Sequence, residues 1–271
     1  MTSVAQVPLL WDREDEFRAR LERRRPAVFL DYDGTLTPIV EDHTQAVLAD
    51  AMRDAVAALA RVCPVAIVSG RDLAAVRDLV GLEALFYAGS HGFEIGGPEG
   101  WHAAIEKGAD ALPALDCAER ALRDELGDIA GHAVERKRFS IAIHYRRATA
   151  ADAERIGRIV DGVAARHRQL RKGRGKKVFR LQPDVDWDKG HAVTWLLERL
   201  GLDRPEVAPL YVGDDITDED AMSALRDRGV GIVVRGEDDA RATAARYALA
   251  DCDDVRRFLE MLASRREGSG S

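Results

Sequence analysis

Short apolar runs alternate with helical repeats along this chain, and that alternation constrains the fold more than any other feature. Ala27 to Asp31 is an apolar run, and Val47, Met52, Val56 and Leu59 then recur at helical spacing over Gln45 to Arg61. Val65 to Val68 is apolar again, followed by a helical pattern over Leu73 to Val80 and a run at Leu85 to Ala88. Strands separated by crossover helices pair in parallel, so this rhythm predicts βαβ units. It resumes much later with a helix from Gly190 to Leu200, strands at Leu210 to Val212 and Val230 to Val234, and a last helix near Asp254 to Leu262.

Between the two halves the pattern changes. Asp110 to Leu126 reads as a helix, Phe139 to Tyr145 alternates, Ile156, Ile159, Val160 and Val163 mark another helix, and Val178 to Gln182 a further strand. The alternation puts Phe139, Ile141, Ile143 and Tyr145 on one face, toward helices, and Ser140, Ala142, His144 and Arg146 on an outward face. Arg180 and Gln182 share the side of Val178, opposite Phe179 and Leu181, so the sheet presents a polar face. The chain is therefore expected to be α/β: a Rossmann-like parallel-sheet core over 1–108 and 185–271, with a smaller α+β cap domain inserted at 109–184. The ending Gly268-Ser269-Gly270-Ser271 reads as linker and is set aside.

A chain of 271 residues that is 46% hydrophobic and 32% charged can bury a sizeable core and is not disordered. Its net charge of -7 argues against nucleic acid or an anionic membrane as the main partner. The three cysteines, Cys63, Cys117 and Cys252, are odd in number and lack ligand spacing, which reads as reduced, buried thiols. Asp12, Glu14, Asp15 and Glu16 interrupt any apolar signal core near the start, so a cytoplasmic location is expected; separately, the chain is expected to be a monomer. The basic run Arg168 to Lys177 lacks interleaved aromatics and contains glycines, so it is expected to be a solvated loop that adds positive potential near the insertion.

Chemistry concentrates where apolar runs stop, the edge at which parallel sheets keep their sites. Asp31-Tyr32-Asp33-Gly34-Thr35 follows the first run. If extended geometry persists, Asp31 and Asp33 point together, Tyr32 points away, and the two carboxylates share a cation or a proton. Gly213-Asp214-Asp215-Ile216-Thr217-Asp218-Glu219-Asp220 supplies a second acidic cluster without His or Cys, favouring Mg²⁺ over zinc, with Asp214 as the expected ligand. There Thr217 is expected to cap a helix with Asp220 in the capping-box position, and Asp215 and Asp218 to support the site. Ser69, in Ile67-Val68-Ser69-Gly70-Arg71, offers a hydroxyl and amides to an anion. Lys189, in Trp187-Asp188-Lys189-Gly190, can pair with phosphate and with Asp31.

In this order the four motifs resemble the haloacid dehalogenase superfamily of aspartate-nucleophile phosphohydrolases. Six longer stretches resemble, more narrowly, the trehalose-6-phosphate phosphatase family. They are Asp31 to Ile39, Gly89-Ser90-His91-Gly92, Glu135 to Ser140, His144-Tyr145-Arg146, Trp187 to Gly190 and Gly213 to Asp220, in a similarity running from about Ala27 to Leu262. The resemblance implies that Asp31 attacks phosphorus and that Asp33 is the general acid and base. It implies Mg²⁺ held by the Asp31 side chain, the Asp33 main-chain carbonyl and Asp214, with Ser69 and Lys189 stabilising the phosphoryl group. It also implies that Glu135, Lys137, Ser140 and Arg146, with Gly89, Ser90, His91 and Gly92, face a sugar, and that Arg180 and Gln182 lie on the same substrate surface. For His91 two readings stay open, substrate contact or a backbone bond beside its glycines.

One position departs from the family pattern: Arg180 stands where such proteins usually carry Glu, which reverses both charge and hydrogen-bonding role. The leading expectation is a phosphatase for trehalose 6-phosphate. The alternatives are another sugar phosphate or a sugar-phosphate sensor that does not hydrolyse, and the intact Asp33 argues against a sensor.

Overall fold

The computed structural model describes residues 2–40, 46–104, 106–175, 177–236 and 240–264. In chain order its strands and helices begin β1 (Thr2–Ser3), α1 (Glu14–Arg20), β2 (Arg25–Leu30), α2 (Asp50–Ala60), β3 (Val65–Val68), α3 (Leu73–Val80), β4 (Phe86–Gly89), β5 (Glu94–Gly96) and β6 (His102–Ala104). Next come α4 (Leu112–Leu126), β7 (Ala133–Lys137), β8 (Ser140–His144), α5 (Ala150–Arg166), β9 (Leu170–Gly175) and β10 (Val178–Pro183). The chain then runs through α6 (Lys189–Arg199), β11 (Val207–Gly213), α7 (Asp218–Ala224), β12 (Val230–Val234), β13 (Ala242–Thr243), β14 (Tyr247–Leu249) and α8 (Cys252–Ser264). It divides into two compact units, Met1–Ala103 with Trp187–Ser271, and Ala104–Asp186.

The first unit carries a sheet in the order β14-β12-β11-β2-β3-β4-β5-β6, parallel from β14 through β4 and antiparallel between β4 and β5. Register decides what this sheet can do. Leu30 lies opposite Val212 on one side and Ile67 on the other, so β2, β3 and β11 deliver Asp31, Ser69 and Asp214 to one edge. Val28, Leu30, Ile67, Leu210, Val212 and Ile232 are buried in one cluster with Met52, Val56 and Leu59 of α2 and Val255, Phe258 and Leu259 of α8. Tyr32 joins that cluster and donates its hydroxyl to the Ala46 carbonyl at 2.8 Å.

The second unit is a four-stranded antiparallel sheet, β7-β8-β10-β9. Ile141, Ile143, Phe179 and Leu181 pack with Leu115, Leu122 and Leu126 of α4 and Ile156, Val160 and Val163 of α5. The Thr149 hydroxyl accepts from the Asp152 amide at 3.1 Å and starts α5. The Ile141 face therefore packs on helices as the alternation requires. Its opposite face is less open than expected, since Ser140 and Ala142 are 4% and 2% exposed. The strand also ends at His144, so Arg146 sits exposed in the following turn instead of on the sheet face.

Several local expectations are corrected. The segment read as a basic solvated loop contains β9, paired along its length with β10; its Lys176 lies outside the described residues. The helix expected over Gln45 to Arg61 begins at Asp50, leaving Val47 outside it and 68% exposed, while Gln45 lies outside the described residues. Cys63 is buried, but Cys117 is exposed and Cys252 half-buried. The expected linker at 268–271 also lies outside the described residues. No helix among the described residues is long and apolar enough to cross a membrane.

Truncating a fully buried residue of the smaller unit should show how far its packing sustains it. Leu181 is 0% exposed, and Leu181→Ala is expected to cost about 2–5 kcal/mol, the range for a buried Leu→Ala change. Denaturant unfolding followed by far-UV circular dichroism checks this.

Candidate active site

Lys189 is the first residue of α6, whose N-cap, Asp188, accepts the His191 amide at 2.9 Å. An exposed position is usual for lysine, yet Lys189 is 2% exposed. Its Nζ donates to Asp31 Oδ1 and Asp218 Oδ1, each at 2.7 Å. Burial alone would pull the Lys189 pKa down, but the charges of Asp218 and Asp31 outweigh it and hold the ammonium above its ordinary range. Asp218 is fixed further by the Tyr211 hydroxyl at 2.6 Å and the Asp215 amide at 2.8 Å. Burial, reinforced by Asp218 and Asp31, raises the Tyr211 phenol well above its usual range, so it stays a donor.

Asp214 completes the cluster. Oxygen atoms of Asp31, Asp214 and Asp218 lie within 4.8 Å of one another, so three carboxylates face one ammonium. Burial pushes Asp31 up to about 8, against the pull of Lys189. Burial and the neighbouring Asp31 and Asp218 push Asp214 up to about 9. Asp214 Oδ1 is buried without a hydrogen-bond partner among the described residues. A buried unpartnered carboxylate oxygen, hard donors and excess negative charge together fit a divalent cation bound through oxygen. Gly34, at φ +85°, makes room: a Cβ there would sit 2.2 Å from Asp214 Oδ2.

Asp33 does not join this cluster, and the expected sharing of one counter-ion with Asp31 is corrected. The strand stops at Leu30, so strict alternation does not carry through Asp33. Asp33 instead accepts from Arg71 Nε at 2.8 Å and Nη2 at 2.5 Å, with its side chain 43% exposed. Ser69, 1% exposed, accepts the Arg71 amide at 3.1 Å, leaving its own O–H to donate elsewhere. Gly89 ends β4, and the following turn is locked to the Ser69 turn by Ser90 N to Arg71 O at 2.6 Å and His91 N to Ser69 O at 2.9 Å. Ser90 Oγ donates to Asp72 at 2.7 Å. The His91 ring lies over Gly70, where a Cβ would meet Cε1 at 2.8 Å. The bond to the Ser69 carbonyl is made by the His91 main chain, not by its ring. At Gly92, φ +92° and a Cβ position 2.3 Å from Ala192 Cβ require glycine.

The expected capping box is absent. Thr217 has helical backbone angles and makes no side-chain cap bond. Asp218, expected only to support the site, lies at its centre, while Glu219 pairs with Arg241 at 2.6 Å and accepts the Ala244 amide at 2.7 Å. The four motifs assign no role to Arg71 or Tyr211. The one sequence signal for either is that Arg71 closes the Ser69 turn, two residues beyond its hydroxyl.

In the smaller unit, Glu135 accepts from or pairs with His144 at 2.9 Å and Lys137 at 3.8 Å. With its amide oxygen turned toward Arg171, Gln182 accepts from Nη2 and Nε at 3.1 Å each. Arg180 lies along β9 beside glycines, its Nη2 being 3.4 Å from where a Gly175 Cβ would stand.

Residues 29–253 match the model of the trehalose-phosphatase family. The chain belongs to that family. It is 47% identical over 247 residues to the trehalose-phosphate phosphatase of Mycobacterium tuberculosis H37Rv, covering 90% of this chain and 62% of that protein. The chain thus spans about three-fifths of the length of the curated relatives it matches. The C-terminal domain of Candida albicans trehalose-6-phosphate phosphatase superposes with a TM-score of 0.81 at 22% identity, over 95% of this chain and 99% of that one. A haloacid dehalogenase-like hydrolase from Bacteroides thetaiotaomicron gives 0.62 at 17% identity, over 88% and 99%. The fold is therefore haloacid dehalogenase-like.

The raised carboxylates set a pH dependence. A carboxyl with a raised folded pKa contributes stability that is present below about pH 4 and lost as pH rises through the folded value. In chelator, the melting temperature should fall between pH 5 and pH 9 by more in the parent than in Asp214→Asn, where one such group no longer titrates. The gap should reach a few degrees, as about 1 kcal/mol moves a chain of this size by roughly 2–4 °C. Differential scanning calorimetry across pH checks it.

Proposed function

We propose that the chain is a Mg²⁺-dependent phosphatase that hydrolyses trehalose 6-phosphate to trehalose and phosphate. The observation that carries this reading is the buried Lys189 bridge between Asp31 and Asp218, beside the unpartnered oxygen of Asp214. It fixes the Asp31 side chain at the end of a parallel strand, against a buried ammonium and beside a group of oxygens suited to a cation. The names carried by the relatives supply the substrate.

Asp31 then attacks phosphorus as its bond to the sugar oxygen breaks, while Asp33 gives a proton to the departing alkoxide. In the second half-reaction Asp33 takes a proton from water, whose oxygen attacks phosphorus and breaks the acyl-phosphate bond to Asp31. Lys189 and the free O–H of Ser69 stabilise charge on the transferring oxygens. The Asp31 and Asp214 side chains and the Asp33 main-chain carbonyl would hold Mg²⁺, which supplies further neutralisation of the phosphoryl charge. Glu135, Lys137, Ser140, Arg146 and Gln182 supply donors and acceptors suited to sugar hydroxyls.

A second reading, a different sugar phosphate, is favoured by Arg180. Among the described residues this arginine has no hydrogen-bond or ion-pair partner, and it can only donate.

Mixing the protein with trehalose 6-phosphate and Mg²⁺ should release inorganic phosphate. Asp31→Asn should lower that release by roughly three orders of magnitude or more, the scale of losing a nucleophile. Chelation should abolish it and added Mg²⁺ restore it; sustained turnover by Asp31→Asn would reject the nucleophile. The substrate is tested separately, by profiling the parent and Arg180→Glu on mono- and disaccharide phosphates. A parent preference for trehalose 6-phosphate supports the leading reading, and a preference for another sugar phosphate that Arg180→Glu reverses supports the second.

A further inference from the structure

We propose that Arg71 is the positioning residue of the acid–base carboxylate Asp33, a role that rests on the phosphatase reading above. Among the described residues, both hydrogen bonds to the Asp33 carboxylate come from the Arg71 fork, at 2.8 and 2.5 Å. The carboxylate is 43% exposed and otherwise has a short side chain free to turn toward water.

The fork itself has a fixed origin. Arg71 is 8% exposed, and its guanidinium lies over the Tyr32 ring, 5.3 Å from the centroid. Tyr32 is anchored to the Ala46 carbonyl. The Arg71 main chain is held at both ends of its peptide unit, by Ser69 Oγ on its amide and by the Ser90 amide on its carbonyl. One turn thus fixes the phosphate-facing hydroxyl of Ser69 and, through Arg71, the carboxylate that must meet the leaving oxygen.

Stability does not account for this arrangement. Ion pairs with an exposed partner contribute little, and burying a guanidinium costs desolvation. Arginine is charged at all working pH values and carries only donors, so Arg71 cannot exchange the proton itself. Each Asp33 oxygen accepts one N–H from the fork and keeps a lone pair for the leaving group or water. What a planar fork adds over a point charge is orientation, because it holds both oxygens at once.

A double-mutant cycle tests this, with kcat measured on trehalose 6-phosphate and on p-nitrophenyl phosphate as a substrate that needs no sugar recognition. Arg71→Met should lower kcat on trehalose 6-phosphate by roughly 30-fold or more, part of the factor of about 10²–10⁴ that acid–base catalysis supplies. Arg71→Lys, which keeps charge and loses the fork, should recover only part of it. In an Asp33→Asn background, Arg71→Met should cost less than about threefold, because the residue it positions is already gone. Equal losses in both backgrounds, or full activity in Arg71→Met, would overturn the proposal while leaving the phosphatase reading intact. A parent chain inactive on both substrates would overturn both. If Arg71→Met does not fold, as read from its melting temperature, Arg71→Lys and Arg71→Gln carry the same cycle.

Discussion

A single buried ammonium organises the core unit's chemistry. Lys189 reaches both Asp31 and Asp218 at 2.7 Å from a position almost closed to water. Burying a charge is tolerable only when partners and hydrogen bonds replace its solvent, and removing one partner of such a pair costs about 3–5 kcal/mol. The surrounding structure meets that demand from several directions. The register of β2 against β11 places Asp31, the start of α6 places Lys189, and the Tyr211 hydroxyl and Asp215 amide hold Asp218. Asp214 then stands beside an arrangement whose negative charge one lysine does not balance. The gathering of acidic oxygens beside Lys189 is thus a consequence of how the lysine is held.

Two acids two residues apart acquire different characters because they have different cations. Asp31 is buried, tied to an ammonium and crowded by other carboxylates. Asp33 is half open to water and tied to a guanidinium that grips both of its oxygens. A nucleophile benefits from a fixed, dry position, whereas a group that passes protons to a leaving oxygen and takes them from water benefits from access. Under the proposed reaction, the separate roles of Asp31 and Asp33 would follow from these local surroundings rather than from the residue type, which is the same at both positions.

Parallel-sheet elements were the most legible part of the fold. Val65–Val68, Leu73–Val80 and Val230–Val234 follow directly from apolar runs and helical spacing. Edge strands of the smaller sheet were not legible, and the reason is chemical. On β7, Arg136 pairs with Asp116 at 2.9 Å on α4. On β9, Lys172 places its ammonium 4.3 Å from the Phe179 ring centroid and 2.7 Å from Asp161. Long charged side chains cover apolar surface there with their stems, so alternation of apolar and polar residues disappears from the sequence. Asp31, Ser69, Lys189 and Asp214 could be selected from motif order, but the pairing of Asp33 with Arg71 could not. It depends on where the chain turns after Leu30, which the period-two rule does not describe.

The acidic cluster and its lysine lie wholly within the core unit, whereas the expected sugar contacts lie largely in the other. Under the proposed function, reaction and selectivity could therefore change separately. Arg180 shows how. Its side chain runs along β9 where Gly173 and Gly175 leave no side chains in its path, its Nη2 lying at contact distance, 3.4 Å, from where a Gly175 Cβ would stand. A glutamate at 180 would be shorter and would accept bonds from hydroxyls that arginine can only donate to. Arg180 and the two glycines beside it are thus one determinant of the charge and reach of the polar face, and none of the three takes part in the Lys189 network.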